Sequence, residues 1–182
     1  MLTLDPHPSA LELPDSYSLG ETRAEVKLDS ADAVRDVSIA MAAQANYHIN
    51  IFTQNLDAEL YDNADFESHV ASLARRHPNT QIRILVQDSD SAVRNGHRLI
   101  RLAQLLTSSV MIHNPHRMHQ DDKAAFMVVD GLGMVHRISG EARQYDAKVN
   151  FMSPLQARQL NEQFDEMWEH SSPDQQLRRL YM

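Results

Sequence analysis

Apolar residues recur along the chain with two alternating periods, one typical of helices and one typical of strands. Three helices are predicted from positions at helical spacing, with these inner residues: Val34, Val37 and Met41; Phe66, Val70 and Leu73; Val93, Ile100, Ala103 and Leu106. Asp29 or Ser30 can cap the first helix, and Pro78 closes the second. The third starts near Asp90 and contains Gly96, which costs about 1 kcal/mol relative to alanine.

Five strands are predicted from short apolar runs at 47–53, 82–86, 110–113, 126–129 and 134–138. The residues between the last two, Asp130-Gly131-Leu132-Gly133, indicate a hairpin turn. Strands that alternate with helices of this length imply right-handed crossovers. The predicted fold class is therefore α/β, with a largely parallel sheet covered by helices. The hairpin is expected to add an antiparallel edge to that sheet.

The last helix has the clearest start signal in the chain. Ser153 is its predicted N-cap, Pro154 its first residue, and Gln156 completes a capping box. The apolar stripe of this helix consists of Leu160, Phe164, Met167 and Trp168. We expect the stripe to pack in the core and its tryptophan to be largely buried.

Composition narrows the classes of protein. The chain has 182 residues, close to the size of one domain, and a formal net charge of −8. That charge disfavours binding to the phosphates of nucleic acid, which requires a positive field. The absence of cysteine excludes disulfides, thiolate metal sites and a cysteine nucleophile. We expect a flexible, proline-containing arm at 1–20, one α/β domain at 21–171 and a C-terminal tail at 172–182.

No segment has the pattern of a secretion signal or of a membrane anchor. Residues 1–20 lack a basic region followed by an apolar run, and no stretch approaches the roughly 20 apolar residues of a membrane span. The expected location is the cytoplasm, and no pattern implies a cofactor.

The segment 126–131, Phe-Met-Val-Val-Asp-Gly, resembles the motif strand of phospholipase D-like proteins, which reads His-x-Lys-x-x-x-x-Asp. The predicted order of helices and strands agrees with that family, and the last helix ends in its Phe-x-x-x-Trp, at Phe164 and Trp168. The resemblance covers residues 21–171 and implies one half of the phospholipase D fold, with a mostly parallel or mixed sheet. The chain is also similar to a small bacterial family of such domains that occur alone or behind acetyltransferase domains of the GNAT type. That similarity implies an acetyltransferase-type partner.

The motif is degenerate at its two catalytic positions. In the family the histidine attacks phosphorus and the lysine holds the phosphoryl oxygens. Aligned on Asp130, Lys123 occupies the histidine position and Ala125 the lysine position. Because alanine can perform neither role, we expect an inactive domain with a binding or accessory role, for an anionic, phosphate-type ligand or for a protein partner. Family members with a single motif pair two copies, which implies a homodimer.

One set of charged residues is predicted to lie around the degenerate motif. The basic residues Lys123, Arg137 and Arg143, together with Lys148, could hold an anion through charge-assisted hydrogen bonds without any chemistry, and Asp130 belongs to the same candidate ligand-binding set. The alternative is that the basic members pair with carboxylates of this acidic chain.

Two alternative sites use histidines. A relocated phosphodiesterase site would use His119 and Lys123 with Asp130, although the first two would lie about 13 Å apart on an extended strand. A metal site would use His113, His116 and His119, which recur every three residues. A polar surface loop explains the same histidines.

Overall fold

The computed structural model of the chain describes residues 16–177, which form a mixed sheet with helices on both faces. The strands are β1 (Glu25–Leu28), β2 (His48–Thr53), β3 (Gln81–Val86), β4 (Val110–Asn114), β5 (Ala125–Val129), β6 (Gly133–Arg137), β7 (Ala147–Asn150) and β8 (Ser172–Pro173). The helices are α1 (Ala31–Ala43), α2 (Ala58–Tyr61), α3 (Ala64–Arg76), α4 (Asp90–Arg94), α5 (Arg98–Leu105) and α6 (Pro154–Glu169), with a 3-10 turn at Arg117–His119. Across the sheet the strand order is β1-β7-β6-β5-β2-β3-β4-β8.

The directions of the strands correct one expectation. The α/β class is confirmed, but the sheet is not largely parallel: within residues 16–177, only β2–β3 and β3–β4 pair in parallel. The other neighbouring strands pair antiparallel. The reason is that β5, β6 and β7 follow one another through connections too short for a crossover, and short connections join antiparallel neighbours. The predicted hairpin therefore lies in the middle of the sheet rather than at its edge.

Two strands on one side of the sheet escape the sequence pattern. β1 and β7 have four residues each, and they pair with one another in antiparallel register. Each carries an exposed lysine between apolar residues, Lys27 in β1 and Lys148 in β7. Such short segments contain too few apolar positions to be recognised as strands.

The two faces of the sheet are covered unequally. One face is apolar along β2, β3, β4, β5 and β6, and it packs against α1, α3 and α5 in the main core. The other face is covered by α6, whose Leu160, Phe164 and Met167 contact Phe52 and Phe126 in a second apolar cluster. Lys27 and Lys148, outside this cluster, remain exposed to solvent. We call the part of this face formed by β6, β7 and β1 the open flank.

The predicted helix ends are largely reproduced. Ser30, rather than Asp29, caps α1 by accepting a hydrogen bond from the backbone N–H of Ala33. The third predicted helix is divided into α4 and α5, because Gly96 adopts a left-handed backbone with φ 68° that no α-helix can contain. Among the described residues no helix combines the length and apolar character that crossing a bilayer requires.

The start of α6 differs in detail from the prediction. Pro154 is its first residue, but the Ser153 hydroxyl donates to the side-chain oxygen of Gln156 at 2.9 Å instead of accepting a backbone N–H. Trp168 is partly buried and packs against the second apolar cluster at the end of the stripe. Its ring stacks between His113, at a centroid distance of 4.0 Å, and Phe164, at 5.7 Å.

The segments flanking the predicted domain contact it where the structure describes them. Tyr17 packs on Phe151 at a centroid distance of 5.6 Å, and the backbone N–H of Leu19 donates to the side chain of Gln44. Downstream, β8 pairs with the end of β4. Residues 1–15 of the predicted arm and 178–182 of the predicted tail lie outside the described residues.

Candidate functional site

The positions that correspond to the histidine and lysine of the phospholipase D-like motif lie where central strands of the sheet end, and not on an outermost strand. β5 runs antiparallel to β2 and starts opposite its last residues, with Phe126 paired to Phe52. Lys123 therefore precedes β5, and Ala125 begins it, at the edge where the parallel strands β2 and β3 end. We call this place the site edge. Ligands of α/β proteins commonly bind beyond the carboxyl ends of parallel strands, so an open cleft would be expected here.

The site edge is covered by the loop 138–146, which connects β6 to β7. The backbone N–H of Gly140 donates to the carbonyl oxygen of Lys123 at 2.6 Å, and the side chain of Gln54 donates to the same oxygen at 3.2 Å. A Cβ atom added to Gly140 would lie only 2.9 Å from the Cβ of Ala125. Because Ala125 is itself 3% exposed, the backbone at Gly140 occupies the space that a longer side chain at position 125 would need.

The buried side chain of Arg137 anchors this loop through contacts with Asp57, Gln144 and Tyr145. Its side chain is 3% exposed, and its guanidinium lies 3.4 Å from the carboxylate of Asp57. The same group donates to the carbonyl oxygen of Gln144 at 2.7 Å and stacks over the ring of Tyr145, 4.9 Å from its centroid. A buried guanidinium with a carboxylate and carbonyl acceptors is fully engaged. Arg137 is therefore a structural residue of the loop rather than a free anion-binding group.

Two tyrosines complete this buried cluster, and neither is a candidate base. Burial raises the pKa of Tyr61 to about 12. Burial, followed by a hydrogen bond from the Tyr145 hydroxyl to Glu59 at 2.8 Å, raises the pKa of Tyr145 as well. Both phenols remain protonated at neutral pH, so they support the loop by packing and hydrogen bonding.

Asp130 lies at the opposite end of β5 from the site edge. Its carboxylate accepts hydrogen bonds from three consecutive backbone N–H groups, those of Asn46 at 2.7 Å, Tyr47 at 2.8 Å and His48 at 2.9 Å. Asp130 itself adopts a left-handed backbone, with φ 54°, at the start of the hairpin turn. These contacts fix the beginning of β2 against the hairpin, which is a structural function.

The predicted anion-binding set is thus not assembled. Lys123 is 73% exposed and lies 3.5 Å from Glu141, which agrees with the salt-bridge alternative. Arg143 is exposed on the covering loop, where its φ is 66°. Since Asp130 lies at the far end of β5 and Arg137 is buried, the four side chains do not converge on one ligand.

The histidines of the 113–119 segment serve separate local roles. His113 stacks on Trp168 and hydrogen-bonds Ser171 at 2.8 Å, and its burial lowers its pKa. His116 accepts a backbone N–H at the start of the 3-10 turn that contains His119. Within residues 16–177, no three His, Asp or Glu side chains are grouped so that they could hold a metal ion.

The sequence pattern does not reveal the two long-range contacts that close the site edge, Arg137 with Asp57 and Gly140 with Ala125. Asp57 lies 80 positions from Arg137, and the loop contact between Gly140 and Ala125 joins two elements that only the folded sheet brings together. A weak signal exists for Asp57, because Asp57 followed by Ala58 and Glu59 is typical of a helix start, and Asp57 does cap α2.

Comparison with known proteins gives one family and one fold. The model of a family described as "Domain of unknown function (DUF7931)" matches residues 30–180. Comparison with curated proteins finds no significant match. Among solved structures, the chain is similar to Nuc from Salmonella typhimurium, a phospholipase D family member, with a TM-score of 0.62 and 12% identity over 83% of this chain and 97% of that chain. NucT from Helicobacter pylori gives a TM-score of 0.59 and 10% identity over 83% and 99% of the two chains.

A third similar structure has a different description. TrmBL2, an archaeal chromatin protein described as having a novel mode of DNA binding, gives a TM-score of 0.63 and 12% identity. The match covers 88% of this chain but 57% of TrmBL2. At such identities these likenesses show a shared phospholipase D-like fold and nothing about activity.

Proposed function

The chain belongs to the DUF7931 family and has a phospholipase D-like fold, and on that premise we propose that it is a domain without phosphodiesterase activity that serves a binding or accessory role. One observation carries the proposal. At the site edge, Ala125 stands where the resemblance requires a lysine, and the loop 138–146 packs directly on it. No lysine ammonium is therefore available at that position to hold phosphoryl oxygens.

The position of the attacking histidine supports the same proposal. Lys123 stands there, and its side chain extends into solvent towards Glu141 rather than into a cleft. The ammonium group of a lysine has three hydrogen-bond donors and no lone pair, so it cannot attack phosphorus. Both halves of the catalytic pair are thus replaced, one by a charged surface residue and one by a buried methyl group.

The test is hydrolysis of bis(p-nitrophenyl) phosphate by the parent protein and by a variant with the motif restored, Lys123→His with Ala125→Lys. We expect both to remain at the background rate. A lysine at position 125 must displace the backbone at Gly140, so we also expect the restored variant to melt below the parent. Lys123→His alone is the matched control, because it changes only an exposed side chain and should melt with the parent.

A restored variant that turns over substrate while melting like the parent would show that the site edge is open, and would contradict the proposal. Turnover by the parent itself would contradict it directly.

The proposed partners follow from the surface and the resemblance. A homodimer would use the strand that leads to Asp130 and its flanking loops, at residues 126–137, as the resemblance implies. An acetyltransferase-type protein is the alternative occupant of that surface. Neither nucleic acid nor a membrane is a proposed partner, because the formal net charge is −8. The proposed location is the cytoplasm.

A further inference from the structure

A row of basic side chains crosses the open flank. In the registers of the antiparallel strands, His136 of β6 is paired with Lys148 of β7, and Lys148 is paired with Lys27 of β1. Directly paired residues project from the same face of a sheet with their Cβ atoms about 4.5–5.5 Å apart. Two lysines therefore stand side by side on an exposed surface, with a histidine next to them.

Neither lysine forms an ion pair with a residue that the structure describes. Among residues 16–177, no carboxylate lies within 4 Å of either ammonium group, although the chain has 25 Asp and Glu residues. Like charges that face one another across strands are destabilising. The pKa of His136 is lowered first by burial and then by the nearby charge of Lys148. A positive surface that costs stability in an acidic chain suggests an anionic ligand.

A cavity of about 320 Å³ lies at the end of this row, next to the site edge but outside the covering loop. Its lining includes the following residues: Lys27, Lys148, Ser139, Gln144, Asp146 and Ile138. Its volume is at the lower end of the range of about 300–1,000 Å³ that holds small organic ligands. The loop 138–146 thus closes the site edge on one side and forms the wall of this cavity on the other.

The side chains that line the cavity provide a hydrogen-bond donor, a hydrogen-bond acceptor and an apolar contact for a ligand. The Ser139 hydroxyl accepts the backbone N–H of Glu141, and in the described structure its own hydrogen has no acceptor. Asp146 forms no ion pair with a described residue, so its carboxylate can accept a hydrogen bond from a ligand hydroxyl group. Ile138, 68% exposed, supplies apolar contact.

We propose that this cavity binds a small hydroxylated organic anion, whose carboxylate or phosphate group lies between the ammonium groups of Lys27 and Lys148 and whose hydroxyl donates to Asp146. This inference rests on the binding role proposed above and gives that role a place and a ligand class. The bound anion removes the repulsion between the two lysines, and charge-assisted hydrogen bonds hold it without any nucleophile.

The test is titration of the isotope-labelled protein with three probes, followed by the backbone amide signals of Ile138, Ser139 and Lys148. Glycerol 3-phosphate and malate represent the phosphate and carboxylate forms of the ligand, and glycerol is the uncharged control. We expect saturable shifts with at least one anion at a Kd of about 1 mM or tighter, and none with glycerol. The anion that binds more tightly identifies the class.

The double variant Lys27→Gln with Lys148→Gln should weaken that binding by roughly tenfold or more, because a hydrogen bond to a charged group contributes a factor of that order. Lys123→Gln is the matched control, since it removes an exposed lysine that lies outside the cavity lining, and it should bind like the parent. Without ligand, the double variant should melt no lower than the parent, because a like-charge pair has been removed.

Three results would overturn the proposal: no saturable shift with either anion, unchanged affinity in the double variant, or a double variant that melts well below the parent. The last would show that the lysines hold β1 against β7. The same samples are assayed for phosphodiester hydrolysis, so the two proposals fail separately. Turnover would refute the proposed inactivity, whereas absent binding would refute only this site.

Discussion

Replacing Arg137 with methionine should destabilise the protein far more than replacing any exposed basic residue. The substitution keeps the length of the side chain but removes the guanidinium that pairs with Asp57 and donates to the carbonyl oxygen of Gln144. The buried carboxylate of Asp57 would keep only its contact with the backbone N–H of Glu59, and the carbonyl oxygen of Gln144 would lose its side-chain donor. Breaking a buried ion pair by removing one partner costs about 3–5 kcal/mol, a large part of the 5–15 kcal/mol by which a typical domain is stable.

The assay is urea unfolding followed by the fluorescence of Trp168, the one tryptophan of the chain. Two variants calibrate the result. Lys123→Met breaks an exposed pair and should cost less than about 1 kcal/mol. The double variant Arg137→Met with Asp57→Asn removes both charges and should recover part of the loss, because no unpaired carboxylate remains. An Arg137→Met protein within about 1 kcal/mol of the parent would refute the reasoning that this pair holds the covering loop.

Three further predictions test other parts of the structure. Burial lowers the pKa of His97, whose Nδ1 atom accepts the backbone N–H of Leu99. Because a histidine of the unfolded chain has a pKa near 6.5, the unfolded state binds more protons than the folded state between these two pKa values. The free energy of unfolding should therefore fall as the pH drops from about 6.5 towards the lowered folded pKa. His97→Asn keeps a capping acceptor and should flatten this pH dependence; an unchanged slope would exclude His97 as a source. Phe164→Ala should lower the free energy of unfolding by about 3–5 kcal/mol, because its ring is fully buried. Trp168→Ala should lower it clearly less, because its ring is only partly buried. Equal or reversed losses of stability in differential scanning calorimetry would contradict the placement of α6. Sedimentation equilibrium at micromolar concentration should give about twice 20.7 kDa for a homodimer, and a mass near 20.7 kDa would refute the proposed pairing.

Local patterns in the sequence predicted most elements and their inner faces. Residues such as Phe66, Val70 and Phe164 repeat at helical spacing because one side of each helix must be buried, and they are buried in the structure. The turn at Asp130 is predictable for a similar reason, since the residue types that adopt a left-handed backbone are few. These features depend on neighbours within a few positions of the chain.

Features that depend on distant pairing could not be predicted. The direction of β5 is decided by its contact with β2, and the row of Lys27 and Lys148 exists only because β1 pairs with β7. The sequence does not show that Arg137 is neutralised by Asp57, because the two residues lie 80 positions apart. Whether a basic residue next to a motif binds an anion or forms an internal ion pair cannot be decided until the positions of nearby carboxylates are known.

The rate at which the purified parent protein hydrolyses bis(p-nitrophenyl) phosphate tests the central claim most directly. It is measured beside His119→Ala and the matched control His116→Ala, which removes a neighbouring exposed histidine. The structure of the site edge, with Ala125 beneath Gly140 and Lys123 directed at Glu141, predicts a rate equal to the uncatalysed background for all three proteins. A rate that rises in proportion to parent concentration and disappears in His119→Ala, but not in His116→Ala, would contradict the claim and reveal a relocated active site.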